Sequence, residues 1–267
     1  MTACYTSNAD TGRFFSRLAG LYRLHFRLFG FENTQRQLIE GTRRAGFRGA
    51  ELLEVGCGAG HLHQRLLEDG AARALGVDLS QTLLAVAQAQ AKAQGLEQRT
   101  AYRLGDFVQI ADEIPEADIT ILDKVVCCYP DWQALVDATL TKTRRVYALT
   151  YPRDRSTTRA GVWLMRRGLR LLGCCYQPYL HDPERIQTRI LDHGFRRTFK
   201  ALTASWMTEV YSREAVRSMG SDSIESYPSS RACAKIGQWP PQEEQAHGPS
   251  TPIYPSRTAA TRHPPGK

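Results

Sequence analysis

Residues 51–60 read "ELLEVGCGAG": a short apolar run ends at Val55 and passes through Gly56, Gly58 and Gly60 directly into the amphipathic stretch "HLHQRLLEDG". Glycines at this junction let the backbone take positive φ and approach a ligand closely, and the following helix presents free N–H groups at its start. The pattern then repeats. "RALGVD", "TAYRL", "DITILD" and "RVYALT" are strand patterns separated by helical ones, including "QTLLAVAQAQAKAQ", which Ser80 caps and Gly95 ends. Strands alternating with helices at about 20–25 residues per unit predict a parallel sheet covered on both faces. The apolar strand runs suit doubly buried positions. "RTFKALT" and "SWMTEVYS" predict a closing antiparallel pair. The expected fold is α/β: a doubly wound, mostly parallel seven-stranded sheet with helices on both faces and a C-terminal antiparallel strand pair.

Three segments are expected. Residues 1–48 are an N-terminal helical segment, 49–217 the α/β domain and 218–267 a disordered Pro/Ser-rich tail. In the first, "RFFSRLAGLYRLHFRLF" puts Phe14, Leu18, Leu21, Phe26 and Phe29 on helical spacing between arginines. Thr34 with Gln37 reads as the capping box of a second helix that ends near Gly46. The tail holds eight of the 13 prolines and too few apolar residues to offset its ordering entropy.

The bulk numbers exclude some classes. The composition, 42% apolar and 23% charged, is globular. The start "MTACYTSNAD" has no basic region ahead of an apolar core, and no run approaches the roughly 18 apolar residues of a membrane span, so a cytoplasmic protein is expected. Seven cysteines without a C-x-x-C pair predict reduced thiols. The net charge of +8 is concentrated: residues 151–217 carry 13 Lys/Arg against 6 Asp/Glu. That surplus fits a solvated surface, nucleic acid, anionic lipid or an acidic substrate.

The glycine spacing decides between two cofactor classes. Dinucleotide enzymes use G-x-G-x-x-G, and here His61 stands where the third glycine would be. The spacing E-x-G-x-G-x-G from Glu54 to Gly60, with Asp78 ending the second strand, "GDF" after the third and Asp123 ending the fourth, resembles the class I S-adenosylmethionine-dependent methyltransferases. The resemblance is strong over residues 50–150 and weaker over the C-terminal strands. It implies S-adenosyl-L-methionine as cofactor. Glu54 and the loop Gly56, Cys57, Gly58 and Gly60 would lie under its methionine part. Asp78 would accept from both ribose hydroxyls, a pair of donors that an ionised two-oxygen acceptor suits. Leu79 would flank the adenine, Asp106 accept from its amino group, Phe107 lie against the ring, and Asp123 sit near the methyl end. An N-terminal helix would close over the site, turning Phe14 and Tyr22 toward it. Ligands at the carboxyl ends of parallel strands agree with the open-sheet rule.

The acceptor leaves a fainter trace, and no catalytic residue is marked. Methyl transfer from a sulfonium forms a neutral leaving group, so alignment supplies much of the rate and a base is needed only for a protonated nucleophile. After the fourth strand, "KVVCCYPDW" is neither the Asp/Asn-Pro-Pro-aromatic motif of amino-methylating nucleic-acid enzymes nor the Pro-Cys of cytosine C5 enzymes, and "LTYPRD" lacks the acid of metal-dependent catechol-type enzymes. Tyr129 is the substrate-facing candidate, with packing beneath the loop as the alternative. Asp131 reads as an N-cap. Cys127 and Cys128 point apart in an extended segment and read as small buried thiols. His61 and His63, about 200° apart on a helix, cannot share an ion, so no metal site is expected; one would line the cofactor mouth and the other face solvent. His181 could reach the acceptor pocket or serve as a local polar cap. "GVWLMRRGLRLLG" sets Arg166, Arg167 and Arg170 opposite Leu164, Met165, Leu169 and Leu172. It reads as a surface helix packed on the sheet, with a lid or an interfacial helix at a membrane as alternatives. The expected partner is a small or lipophilic metabolite acceptor. A nucleic-acid methyltransferase and a non-catalytic partner subunit are the rivals.

Overall fold

The computed structural model of the protein describes residues 8–213. The tail expected at 218–267, and residues 1–7, lie outside the described residues. Seven strands form one sheet: β1 (Glu51–Val55), β2 (Arg73–Asp78), β3 (Thr100–Leu104), β4 (Ala117–Asp123), β5 (Thr143–Pro152), β6 (Phe195–Leu202) and β7 (Trp206–Arg213). Their order is β3-β2-β1-β4-β5-β7-β6. The first five are parallel, and β7 runs antiparallel between β5 and β6. The fold class expected from the sequence is the one observed.

Alternation along each strand divides the core into two layers, because successive side chains point to opposite faces. Leu53, Val55, Leu75, Val77, Tyr147 and Leu149 pack on one side with α6 (Trp132–Thr141) and α8 (Pro183–Asp192). Leu52, Ala74, Ile119, Ile121, Val146 and Ala148 face α2 (Asn33–Ala45), α3 (His61–Glu68) and α4 (Gln81–Ala93). Local signals place several helix starts. Ser80 accepts from Leu83 N–H, Asp131 from Ala134 N–H and Asp182 from Glu184 N–H, each ahead of its helix.

Two sequence expectations change. Helix α2 begins at Asn33 after the N-cap Glu32, whose backbone N–H donates to Gln35 Oε1 at 3.2 Å. Thr34 is therefore inside the helix, and Gln37 instead accepts from Thr208 of β7 at 3.0 Å. Glu32 and Gln35 form the capping box instead, and Glu32 also pairs with Lys124. The second change is α7 (Ser156–Leu171). It was expected to pack on the sheet, yet none of its residues is buried. It follows β5 and lines the cavity described below through Thr158, Gly161, Val162 and Met165. The last helices, α1 (Asn8–Phe29) and the one-turn α5 (Phe107–Ile110), belong to the site described next.

Helix α2 lies close on β6 and β7 through Gly41. A Cβ there would come within 2.6 Å of Val210 Cγ2 and 2.7 Å of Phe199 Cδ1. Gly41→Val should therefore destabilise the fold by about 1–3 kcal/mol through overpacking. Urea denaturation would measure it, and an unchanged midpoint would show that α2 can retreat at no cost.

Candidate active site

The carboxyl ends of β1, β2, β3 and β4 converge on one cavity of about 600 Å³, within the usual range of small-molecule sites. The glycine loop forms its floor. Gly56 (φ 67°) must be glycine for two reasons: its left-handed backbone, and Val125 Cγ2, which would lie 2.5 Å from any Cβ. Gly58 (φ 54°) has open space where a Cβ would be, and its N–H donates to Asp78 Oδ2 at 2.8 Å.

Asp78 also accepts from Ser80 N–H through Oδ1 at 2.8 Å, so backbone donors from two elements orient both oxygens. Burial nevertheless pushes its carboxyl up to about 6, against those hydrogen bonds and with Glu54 adding to the rise. Asp106 caps α5 and accepts from Val108 N–H, from Tyr129 Oη at 2.7 Å and from Asn8 Nδ2 at 2.5 Å. Asp123 ends β4, and its Oδ1 is buried without a hydrogen-bond partner. Burial pushes this carboxyl up to about 6 as well, while Lys124 and a hydrogen bond from Gln35 pull it down. Glu54 is buried and holds His63 through the ring Nδ1 at 2.6 Å and the backbone N–H at 3.2 Å.

Buried polar atoms without partners concentrate at this cavity. Thr11 Oγ1, His61 Nε2, Asp123 Oδ1 and Thr158 Oγ1 all lack one, and all four residues line it. A folded chain leaves few such groups, so a cluster of them around one void marks where a polar ligand would sit. The cavity's charge is one-sided. Glu32, Glu54, Asp78, Asp106 and Asp123 line it with a single cation, Lys124, which is paired to Glu32.

The roof comes from distant segments. Phe14, Phe15, Leu18, Tyr22 and Phe26 of α1 cover one side, and Thr158, Gly161, Val162 and Met165 of α7 another. Phe14 stacks on Tyr176 at 4.3 Å, and Phe26 stacks on His61 at 3.4 Å. Burial, with His63 adding, holds His61 down at about 4, so this ring is neutral.

Of the residues singled out in the sequence, Glu54, Gly56, Cys57, Gly58, Asp78, Leu79, Asp106, Phe107, Asp123, Tyr129, Phe14 and Tyr22 line this one cavity. Gly60 and His181 do not. Gly60 is the tight packing point at the start of α3, where a Cβ would meet Gln64, Ala87 and His63. His181 donates from Nε2 to Tyr129 O at 3.0 Å and stacks on Tyr179, which makes it a local brace. Tyr129 lines the cavity, with its hydroxyl donating to Asp106 Oδ1. His63 does not face solvent: it is wholly buried between Glu54 and Tyr102. Cys127 and Cys128 do not point apart. The segment is a tight 3₁₀ turn, their sulfurs lie 3.9 Å from each other, and Cys128 Sγ meets Tyr176 Oη at 3.1 Å. Asn8, Gln35, Thr158 and Lys124 went unnoticed in the sequence. Their partners lie across long loops, so no local pattern could have marked them. Among the described residues no cluster could hold a metal ion.

This geometry defines a class. Residues 52–148 match the methyltransferase domain family, and the described fold is similar to that of solved methyltransferases. The chain thus carries a stretch that matches a methyltransferase domain, set in a fold similar to that of solved methyltransferases. Three solved structures illustrate the likeness. Magnesium protoporphyrin IX methyltransferase from Synechocystis PCC 6803, with bound S-adenosylhomocysteine, is 17% identical with a TM-score of 0.60, over 78% of this chain and 100% of its own. An O-methyltransferase family 2 protein from Planctomyces limnophilus DSM 3776, in complex with apigenin, is 19% identical with a TM-score of 0.57, over 76% and 62%. The [4+2]-cyclase SpnF is 14% identical with a TM-score of 0.58, over 78% and 97%. No curated protein sequence matches the chain. One of these neighbours is a cyclase, so the likeness carries the fold and the pocket must carry the chemistry.

The raised Asp123 carboxyl sets a pH test. Burial disfavours its ionised form in the folded protein, so it costs stability above about pH 6 and costs nothing below about pH 4. Asp123→Asn should stabilise the ligand-free protein by about 1–3 kcal/mol at pH 7.5 and by close to zero at pH 4. Equal gains at both values in urea denaturation would mean that the carboxylate is not the strained group.

Proposed function

We propose that the protein transfers a methyl group from S-adenosylmethionine to a small, uncharged or cationic apolar metabolite held under α1 and α7. The observation that carries this reading is the cavity's lining: carboxylates and partnerless polar atoms at the strand ends, aromatic and aliphatic side chains on the roof. The cofactor supplies an electrophilic methyl on a sulfonium and leaves as a neutral thioether. The strand-end carboxylates attract the cationic cofactor more than the neutral product, which favours turnover. Asp78, already fixed by two backbone N–H groups, retains lone pairs for a diol. Asp106, held by Tyr129 and Asn8, sits where an adenine edge would reach it, beside Phe107. Asp123 Oδ1 and Thr158 Oγ1 supply polar contacts without giving up any bond they now make.

Among the described residues, no arginine lines the inner face of the roof. Among its residues Phe14, Phe15, Tyr22, Phe26, Tyr176 and Tyr179 leave a flat apolar space suited to a planar or lipophilic acceptor. A polyanionic nucleic acid would enter a cavity of five carboxylates and one paired lysine against the field. The non-catalytic alternative gains no support either, since the glycine loop is open and the carboxylates are oriented.

Incubating the protein with methyl-labelled cofactor and fractionated metabolite extracts tests the reading. Label should pass into organic-extractable products, at rates little changed by added salt. Label confined to RNA or DNA, with steep salt dependence, would overturn it. Separately, Asp78→Ala should weaken cofactor binding by about 1–3 kcal/mol, read by equilibrium dialysis. An unchanged dissociation constant would remove Asp78 from the site.

A further inference from the structure

The charge missing from the cavity is found on the outer faces of its roof. Helix α1 carries Arg13, Arg17, Arg23 and Arg27 against one acid, Asp10, and α7 carries Arg159, Arg166, Arg167 and Arg170 against none. Arg13 pairs with Asp10, and Arg159 with Asp154 just ahead of α7. Among the described residues, Arg17, Arg23, Arg27, Arg167 and Arg170 have no carboxylate partner.

Large apolar side chains share those outer faces. Leu21, Leu24 and Leu28 follow i, i+3, i+7 spacing on a face of α1 that flanks the one carrying Phe14, Leu18 and Tyr22, and each is more than half exposed. On α7, Trp163, Leu164 and Leu171 form a second stripe, again each more than half exposed. Arg167 stacks over Trp163 at 5.0 Å between them. Each helix thus turns one apolar face inward to the cavity and another outward, and no residue of α7 is buried. A helix of a globular domain ordinarily buries one stripe and solvates the rest. Leucine, tryptophan and arginine on one exposed face, without acids, is the composition of a helix lying in a bilayer interface.

We propose that the outer faces of α1 and α7 dock on an anionic phospholipid surface, setting the acceptor cavity against the lipid. Leucines and Trp163 enter the acyl boundary while the unpaired arginines meet lipid phosphates. Charge complementarity selects this occupant over a second copy of the chain, whose identical basic face would repel its mate. Residues 214–267 carry 6 Lys/Arg and 5 Asp/Glu, so they cannot supply the attraction instead. Docking needs no methyl transfer, and its outcome is independent of the proposed reaction.

Cosedimentation of the full-length protein with vesicles tests this. Phosphatidylcholine vesicles containing about 30% phosphatidylserine should bind it, and pure phosphatidylcholine should bind on the order of tenfold less. The triple variant Trp163→Ser, Leu164→Ser, Leu171→Ser should lose binding at least roughly tenfold while keeping its melting temperature, as the side chains are exposed. Replacing Arg17, Arg23, Arg27 and Arg170 by Gln should abolish the preference for anionic vesicles. No vesicle binding at low salt, or binding that both variants retain, would overturn the proposal. So would sedimentation showing a dimer of the wild type that the triple variant loses, without vesicle binding.

Discussion

The site depends on how the glycine loop is tied to the end of the second strand. Gly56 and Cys57 N–H both bond to Val77 O, at 2.7 and 3.1 Å, and Gly58 N–H reaches the Asp78 carboxylate at 2.8 Å. These contacts hold the first turn of α3 and the carboxylate of β2 in one rigid unit. Val125, pressed against Gly56, adds the end of β4. Parallel pairing does the rest, since strands in register bring their carboxyl ends to one edge. Asp78, Asp106 and Asp123 therefore arrive together without needing to be near in sequence.

Bringing acids together in a buried place has a cost, visible in Asp78 and Asp123, both pushed up to about 6. Part of this is offset: by backbone N–H groups for Asp78, and by Gln35 and Lys124 for Asp123, while His63 partners Glu54. What is left over, Asp123 Oδ1 and the polar atoms of Thr11, His61 and Thr158, is the part a bound cation would complete. On the roof, the arginines of α1 and α7 are absent from the cavity lining, so its interior and exterior attract opposite partners.

The floor of this site was legible in the sequence and the roof only partly so. Strand ends, glycines and caps such as Ser80 are local signals, and each strand pattern fell on an observed strand. Phe14 and Tyr22 were placed over the cavity only through the family resemblance. Lys124–Glu32, Asn8–Asp106 and Gln35–Asp123 join elements about ninety residues apart, and periodicity carries no such information. Thr34 was read as the cap where Glu32 and Gln35 form the box, and the cysteines were read on an extended chain that is in fact a tight turn. Helix α7 was read as packed because amphipathic helices usually are; its outer apolar face makes it an exception.

The carboxylate-lined cavity at the strand ends is the proposed seat of S-adenosylmethionine. Calorimetric titration of the wild-type protein with S-adenosylmethionine and with S-adenosylhomocysteine measures it most directly. One site per chain should be filled by either ligand, and the cationic one should bind more tightly at low salt than the neutral one, with the gap closing as salt rises. Absence of heat and of saturable binding with both ligands would contradict the claim.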